Sequence, residues 1–247
     1  MERRNLEIGS VSIPALICRP QEFSCRTESE KSRSNRSKKR CLAMIFHGLG
    51  GSKEVQKKEV GVLANAGFTA VAIDAPHHGE RRSPFLDEMD GEKNAVRKHR
   101  LFIELVSQAA AEIPKLITLF RNEGFERIVV SGISLGGHTA FGAILHEPLP
   151  DALIPLIGSP DWGVADSPHR HLERFSRLPT MAIVGGKDTI VPAGPCRALF
   201  AALAAAAMFD PTRLQLREYP ESGHCMRGED WDDAWKEIIA FLDRILI

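Results

Sequence analysis

The stretch from Arg127 to Phe141 constrains this chain more than any other. Ile128, Val129 and Val130 form a short β-branched apolar run, the signature of a buried strand. Gly132-Ile133-Ser134-Leu135-Gly136 follows at once, and then residues that suit a helix: Thr139, Ala140, Phe141, Ala143, Ile144 and Leu145. Strand, G-x-S-x-G and helix in that order is the context of a nucleophile elbow. The turn is so sharp that the serine backbone is strained, and glycines flank it because a Cβ there would strike the neighbouring strand or helix. The pattern predicts that Ser134 Oγ stands clear of the sheet at the positive end of the next helix. A developing oxyanion is stabilised there, with the Leu135 N–H as one donor.

A serine at its free pKa is a poor nucleophile, so the remaining loops must supply a base and its partner. Leu42 to Phe46 is an apolar run of strand length that ends in His47-Gly48-Leu49-Gly50-Gly51-Ser52. The glycines let this backbone approach a substrate oxygen closely, so the Leu49 N–H is the expected second oxyanion donor and His47 and Gly48 are expected to line the site. The spacing is neither G-x-G-x-x-G nor a P-loop, which argues against a phosphate cradle. From Ser52 the pattern turns helical, with Ser52 a candidate N-cap and Gly67 a candidate terminator. Phe68 to Ile73 is the next strand, and Asp74-Ala75-Pro76-His77-His78-Gly79 its loop. Adjacent histidines rarely ligate one ion and no acidic cluster joins them, so His78 is expected to form a wall of the site rather than a metal ligand.

Residues 80–94 are charged and expected to be irregular. A long helix is predicted from Ala95 to Arg121, with a kink or restart at Pro114. Asp151 to Ile157 reads as a strand in which Pro155 is awkward if the strand is central. Trp162 in the following loop is expected to line the site, and residues 158–179 leave room only for a reduced cap. Thr180 to Val184 is a strand ending in Gly185-Gly186-Lys187-Asp188, and Pro195 to Met208 reads as an alanine-rich helix. Leu214 to Tyr219 is the last strand, followed by Glu221-Ser222-Gly223-His224 and an amphipathic helix from Trp231 to Ile247. Leu6 to Ile17 reads as a hairpin about Gly9-Ser10 at one sheet edge.

The 247 residues suit a single domain over 1–247. Lys plus Arg and Asp plus Glu number 32 each, so no net field favours nucleic acid or membrane. The basic stretch 26–40 has almost no apolar residue and no interleaved aromatic, and reads as a flexible solvated loop. Five cysteines, an odd number without a C-x-x-C pair, argue against zinc or a redox dithiol and suit a reducing, cytoplasmic setting. No metal or organic cofactor is expected.

Ser134, Asp188 and His224 thus each stand just after a predicted strand, in the chain order Ser…Asp…His. With His47-Gly48-Leu49-Gly50-Gly51-Ser52, Asp74 to Arg81, Gly132 to Gly137, Gly185 to Pro192 and Ser222-Gly223-His224, the chain resembles the α/β-hydrolase superfamily, and within it the small dienelactone-hydrolase-like and prolyl-oligopeptidase-like serine esterases. The resemblance implies an eight-stranded, mostly parallel sheet with helices on both faces. It further implies Ser134 as nucleophile, Asp188 as acid, His224 as base, and hydrolysis of a small-molecule ester through an acyl-enzyme. A peptidase or acyltransferase with the same triad, or a non-catalytic binding scaffold, are the rival expectations.

Overall fold

The computed structural model describes residues 1–20 and 40–246. The basic loop expected over 26–40 lies, apart from Arg40, outside the described residues. Eight strands form one sheet: β1 (Glu2–Ile8), β2 (Val11–Cys18), β3 (Cys41–Phe46), β4 (Thr69–Ile73), β5 (Arg127–Ile133), β6 (Ala152–Leu156), β7 (Thr180–Gly185) and β8 (Leu214–Tyr219). Their spatial order is β1-β2-β4-β3-β5-β6-β7-β8. The β1–β2 hairpin turns at Gly9, whose φ of +65° suits glycine, and β2 pairs antiparallel with β4. From β4 to β8 all neighbours are parallel, with Met44 of β3 opposite both Val71 and Val130. The helices are α1 (Lys57–Asn65), α2 (Pro84–Gly91), α3 (Ala95–Asn122), α4 (Leu135–Gly142), the single turn α5 (Leu172–Phe175), α6 (Gly194–Ala205) and α7 (Gly228–Leu246).

Alternation along β3 shows how the two faces are filled. Leu42, Met44 and Phe46 enter a core closed by Ile113, Leu116 and Phe120 of α3, Phe141 of α4, and Leu199 and Leu203 of α6. Cys41, Ala43 and Ile45 enter the opposite core, closed by Val60 and Leu63 of α1 and by Trp235, Ile238, Phe241 and Leu242 of α7. A strand buried on both faces carries apolar residues throughout, which is why β3 has no polar position. Burying each such Leu, Ile or Phe side chain contributes roughly 1.5–3 kcal/mol. Among the described residues, no helix is long and apolar enough to cross a membrane.

Several local expectations are corrected. The stretch 80–94 is not wholly irregular: Ser83 accepts the Phe85 N–H and starts α2, with Pro84 in its first turn. The long helix runs through Pro114 without a restart, since Ile113, Leu116, Ile117 and Phe120 around it are all held in the core. Ser52 makes no side-chain cap, and the N–H of the next residue, Lys53, is taken by Asp74 Oδ1 at 2.7 Å. The alanine-rich helix stops at Ala205, and Ala207 at φ +53° turns the chain away. Pro155 does occupy a central strand. Leu153 and Ile157 donate their N–H groups toward β7 (to Pro179 O and Ile183 O), so the missing N–H of Pro155 faces that side. The β6–β7 register is correspondingly reduced to Leu153↔Thr180 and Leu156↔Ile183.

Candidate active site

The elbow forms because three glycines let backbone pass within van der Waals contact of backbone. A Cβ on Gly132 would lie 2.2 Å from Gly136 O, one on Gly136 2.1 Å from Phe46 O, and one on Gly137 2.4 Å from Leu156 O. Ser134 itself has φ +57° and ψ −108°, a conformation that costs a non-glycine residue about 1–3 kcal/mol. Its surroundings fix it there. The Ser134 N–H donates to Leu156 O (2.9 Å), the Gly136 N–H donates to His47 O (3.1 Å), and Ser134 O accepts both the backbone N–H and Nδ1–H of His138 (2.9 Å each).

Ser134, His224 and Asp188 meet in series. Ser134 Oγ lies 2.9 Å from His224 Nε2, and His224 Nδ1 lies 2.8 Å from Asp188 Oδ2. The second Asp188 oxygen accepts the N–H groups of Ile190 (2.9 Å) and Val191 (2.8 Å), which leaves Oδ2 for the imidazole. The Asp188 side chain is fully buried while that of His224 is 18% exposed, so the relay is closed to solvent at its acid end. The loops after β7 and β8 are joined beneath it: the Lys187 N–H donates to Ser222 O, and Ser222 Oγ is anchored on Asp230 Oδ2 at 2.7 Å.

The loop after β3 lies beside the serine. A Cβ built on Gly48 would be 3.7 Å from Ser134 Cβ. Among the described residues, neither the Leu49 N–H nor the Leu135 N–H donates to another group, so both are available to an incoming oxygen.

Three side chains expected to line the site are instead built into the frame. His47 is fully buried; its Nδ1–H donates to Gly48 O (2.8 Å) and its Nε2 accepts the Ala75 N–H (3.1 Å). His78 is equally buried, with Nδ1–H to Pro76 O (2.9 Å) and Nε2 accepting the Gly50 N–H (3.0 Å). Trp162 is buried, and its indole N–H is used by Ser159 O at 3.1 Å. The physical reason is common to all three: each sits where backbone groups of a tight loop need a partner, and a wall residue would have to leave them unpaired. Among the described residues, no group of three His, Cys, Asp or Glu side chains is arranged to hold a metal ion.

Two features escape sequence reasoning. The first is a buried ion pair, Lys53 Nζ to Asp74 Oδ2 at 2.8 Å, which clamps the loop after β3 to the loop after β4. Burial alone would raise the Asp74 pKa, but hydrogen bonds from the Lys53 side chain, the Lys53 N–H and the Glu80 N–H hold it below the usual value. Gly79 at φ +54° completes the clamp, because any Cβ there would lie 2.3 Å from the Asp74 carboxylate. No spacing rule links residues 53 and 74. The second feature is His138, one turn beyond Ser134 and buried against it.

Burial pushes the pKa of both His47 and His138 down to about 4. The unfolded chain takes up these protons near the ordinary histidine value of about 6.5, so between that pH and about 4 it binds more protons than the folded protein. Stability therefore falls as pH falls through this window. The two groups together should lower Tm by on the order of 10 °C between pH 7 and pH 4. His138→Asn keeps a donor for Ser134 O but cannot titrate, and should flatten the slope. Thermal melts at a series of pH values check this, and a flat wild-type profile would refute it.

Comparison with known proteins agrees with this geometry. The dienelactone hydrolase family matches residues 32–245. The chain belongs to that family. It is 28% identical to YitV of Bacillus subtilis, described provisionally as an esterase, over 73% of this chain and 81% of that one. It is also 28% identical to the esterase YjfP of Escherichia coli, over 47% of this chain and 44% of that one. A solved structure from Thermus thermophilus covers 100% of this chain and 99% of its own at TM-score 0.74 and 22% identity. With the family match, that similarity establishes the α/β-hydrolase fold of the eight-stranded, mostly parallel sheet.

Proposed function

We propose that this protein is a serine esterase, a single hydrolase domain that cleaves small-molecule carboxylic esters with short acyl groups through an acyl-enzyme. The observation that carries the reading is the unbroken relay from Ser134 Oγ to His224 to Asp188, at 2.9 and 2.8 Å. Membership of the dienelactone hydrolase family and likeness to proteins named as esterases support it.

In this mechanism Ser134 Oγ attacks the ester carbonyl as His224 Nε2 takes its proton. Asp188 Oδ2 holds the imidazole with Nδ1 protonated and stabilises the imidazolium, while its other oxygen stays on the Ile190 and Val191 N–H groups. The Leu49 and Leu135 N–H groups receive the negative charge that develops on the carbonyl oxygen. His224 then returns the proton to the departing alcohol, and the same base activates the water that releases the acid. The strained Ser134 backbone keeps Oγ aimed at the substrate without waiting for a conformational change. The odd cysteine count without a C-x-x-C pair favours a reducing, cytoplasmic setting.

The purified protein should turn over nitrophenyl acetate and butyrate, and a fluorophosphonate probe should label the peptide that contains Ser134. Absence of turnover across an ester panel, or labelling at another residue, would reject the proposal.

A further inference from the structure

The stretch 158–179, expected to form a reduced cap, places Gly158 and the buried Trp162 beside the elbow and its helix. A second overhang was not expected at all. α2 and the first turns of α3 carry a hydrophobic cluster of their own: Leu86, Met89, Ile103, Leu105 and Val106, closed by Trp162 and Leu135. None of these buried residues belongs to the two cores that flank the sheet. Leu135 directly follows the nucleophile, so this cluster is built on the elbow itself.

Phe102 lies half-buried on the rim of the cluster. Its ring meets the His138 ring edge-on, with centroids 5.1 Å apart and planes at 89°. His138 in turn donates to Ser134 O at 2.9 Å. Going outward from the nucleophile, the contacts therefore run Ser134, His138, Phe102. With Nδ1–H committed to Ser134 O and burial keeping the ring neutral, His138 offers only a fixed, uncharged backing to the phenyl ring.

The overhang is tied down from several sides. His77, held at φ +63°, stacks on Phe85 (4.4 Å, 14°), lies 2.6 Å from Ser83 Oγ through Nδ1, and donates from Nε2 to Gln108 Oε1 at 2.8 Å. Arg81 grips Glu112 through both guanidinium nitrogens, and His99 Nε2 donates to Trp162 O at 2.9 Å. Bonds of this number and burial make a wall, not a gate that opens for each substrate.

Resting on the esterase reading above, we infer that residues 83–106 are the cap of this enzyme and that Phe102, backed by His138, limits the acyl arm of its ester substrates to a few carbons. The assignment to the acyl arm follows from where the proton goes. The leaving alcohol must stay within reach of His224 Nε2, which enters from the loop after β8, at the far edge of the sheet. Phe102 comes instead from a cap tied to the loop after β4, and it meets His138 of α4 rather than His224. Each methylene that gains an apolar enclosure should improve kcat/KM by about fourfold.

The test compares nitrophenyl esters from acetyl to octanoyl, and in parallel acetate esters of lengthening alcohols. Phe102→Ala should raise the octanoyl-to-acetyl ratio of kcat/KM at least tenfold, Phe102→Leu less, and Phe102→Trp should lower it. Phe102 is only half-buried, and the graded series stays informative should one member fold poorly. An unchanged ratio across the folded variants, or a shift confined to the alcohol series, would overturn the inference. Wild-type turnover of the acetyl ester, with fluorophosphonate labelling of Ser134, reports separately on the esterase reading, so failure of one is distinguishable from failure of the other.

Discussion

Ser134→Ala should lower kcat toward nitrophenyl acetate by about 10⁴-fold or more while leaving the fold and Tm close to wild type. The stability side follows from the structure. Among the described residues, Ser134 Oγ bonds only to a partly exposed imidazole, whereas the contacts that hold the turn come from its backbone and survive the change. Alanine at φ +57° is strained much as serine is, so the elbow is not relieved. The catalytic side follows from the relay: without Oγ there is no atom to carry the acyl group, and His224 has nothing to deprotonate but water. Adding His224→Ala to Ser134→Ala should cost almost nothing further, because groups that act as one unit are strongly non-additive. Steady-state kinetics of the single and double variants would check this. A Ser134→Ala protein with near wild-type turnover would remove the serine from the reaction.

How much of this was legible in the sequence depends on how far each interaction reaches. The strands were readable because parallel sheets bury both faces, so β3 and β4 carry uninterrupted apolar runs. The meeting of Ser134, Asp188 and His224, the proposed triad, could be anticipated because each follows a strand and brings a local signature: glycines about the serine, Gly185-Gly186 before the aspartate, Gly223 beside the histidine. The errors came where a residue type was right and its partner was remote. His47 and His78 looked like wall residues since they stand at strand ends, yet Ala75 and Gly50, distant in sequence, claim their nitrogens. Ser52 has the chemistry of a cap, but its side chain caps no N–H, and the adjacent Lys53 N–H is held by the remote Asp74 carboxylate. α2 was hidden because its charged residues obscure a helical period carried by Leu86 and Met89 alone. Its binding partners, Trp162 and Leu135, come from other parts of the chain.

Gly136→Ala should be among the most damaging single-methyl changes in the molecule. The cause is contact rather than backbone preference, and the two can be separated. The added methyl would stand 2.1 Å from Phe46 O and 2.6 Å from Phe46 C, both backbone atoms of a central strand that pairs with β4 on one side and β5 on the other. Neither can retreat without breaking the parallel ladder, and moving α4 away instead would release Ser134 from its strained conformation and the Leu135 N–H from its place. We expect a loss above about 4 kcal/mol, the range reserved for core overpacking with no route of relaxation, together with loss of esterase activity in whatever protein folds. Gly124→Ala is the comparison. Gly124 ends α3 at φ +94°, and a methyl added there would meet nothing within 4 Å, so its cost is conformational alone, about 1–2 kcal/mol, with activity retained. Urea denaturation of the two variants decides between the causes. If Gly136→Ala proved no worse than Gly124→Ala, the elbow would have to be slack enough to shift by an ångström, and the fixed aim of Ser134 Oγ would fail with it.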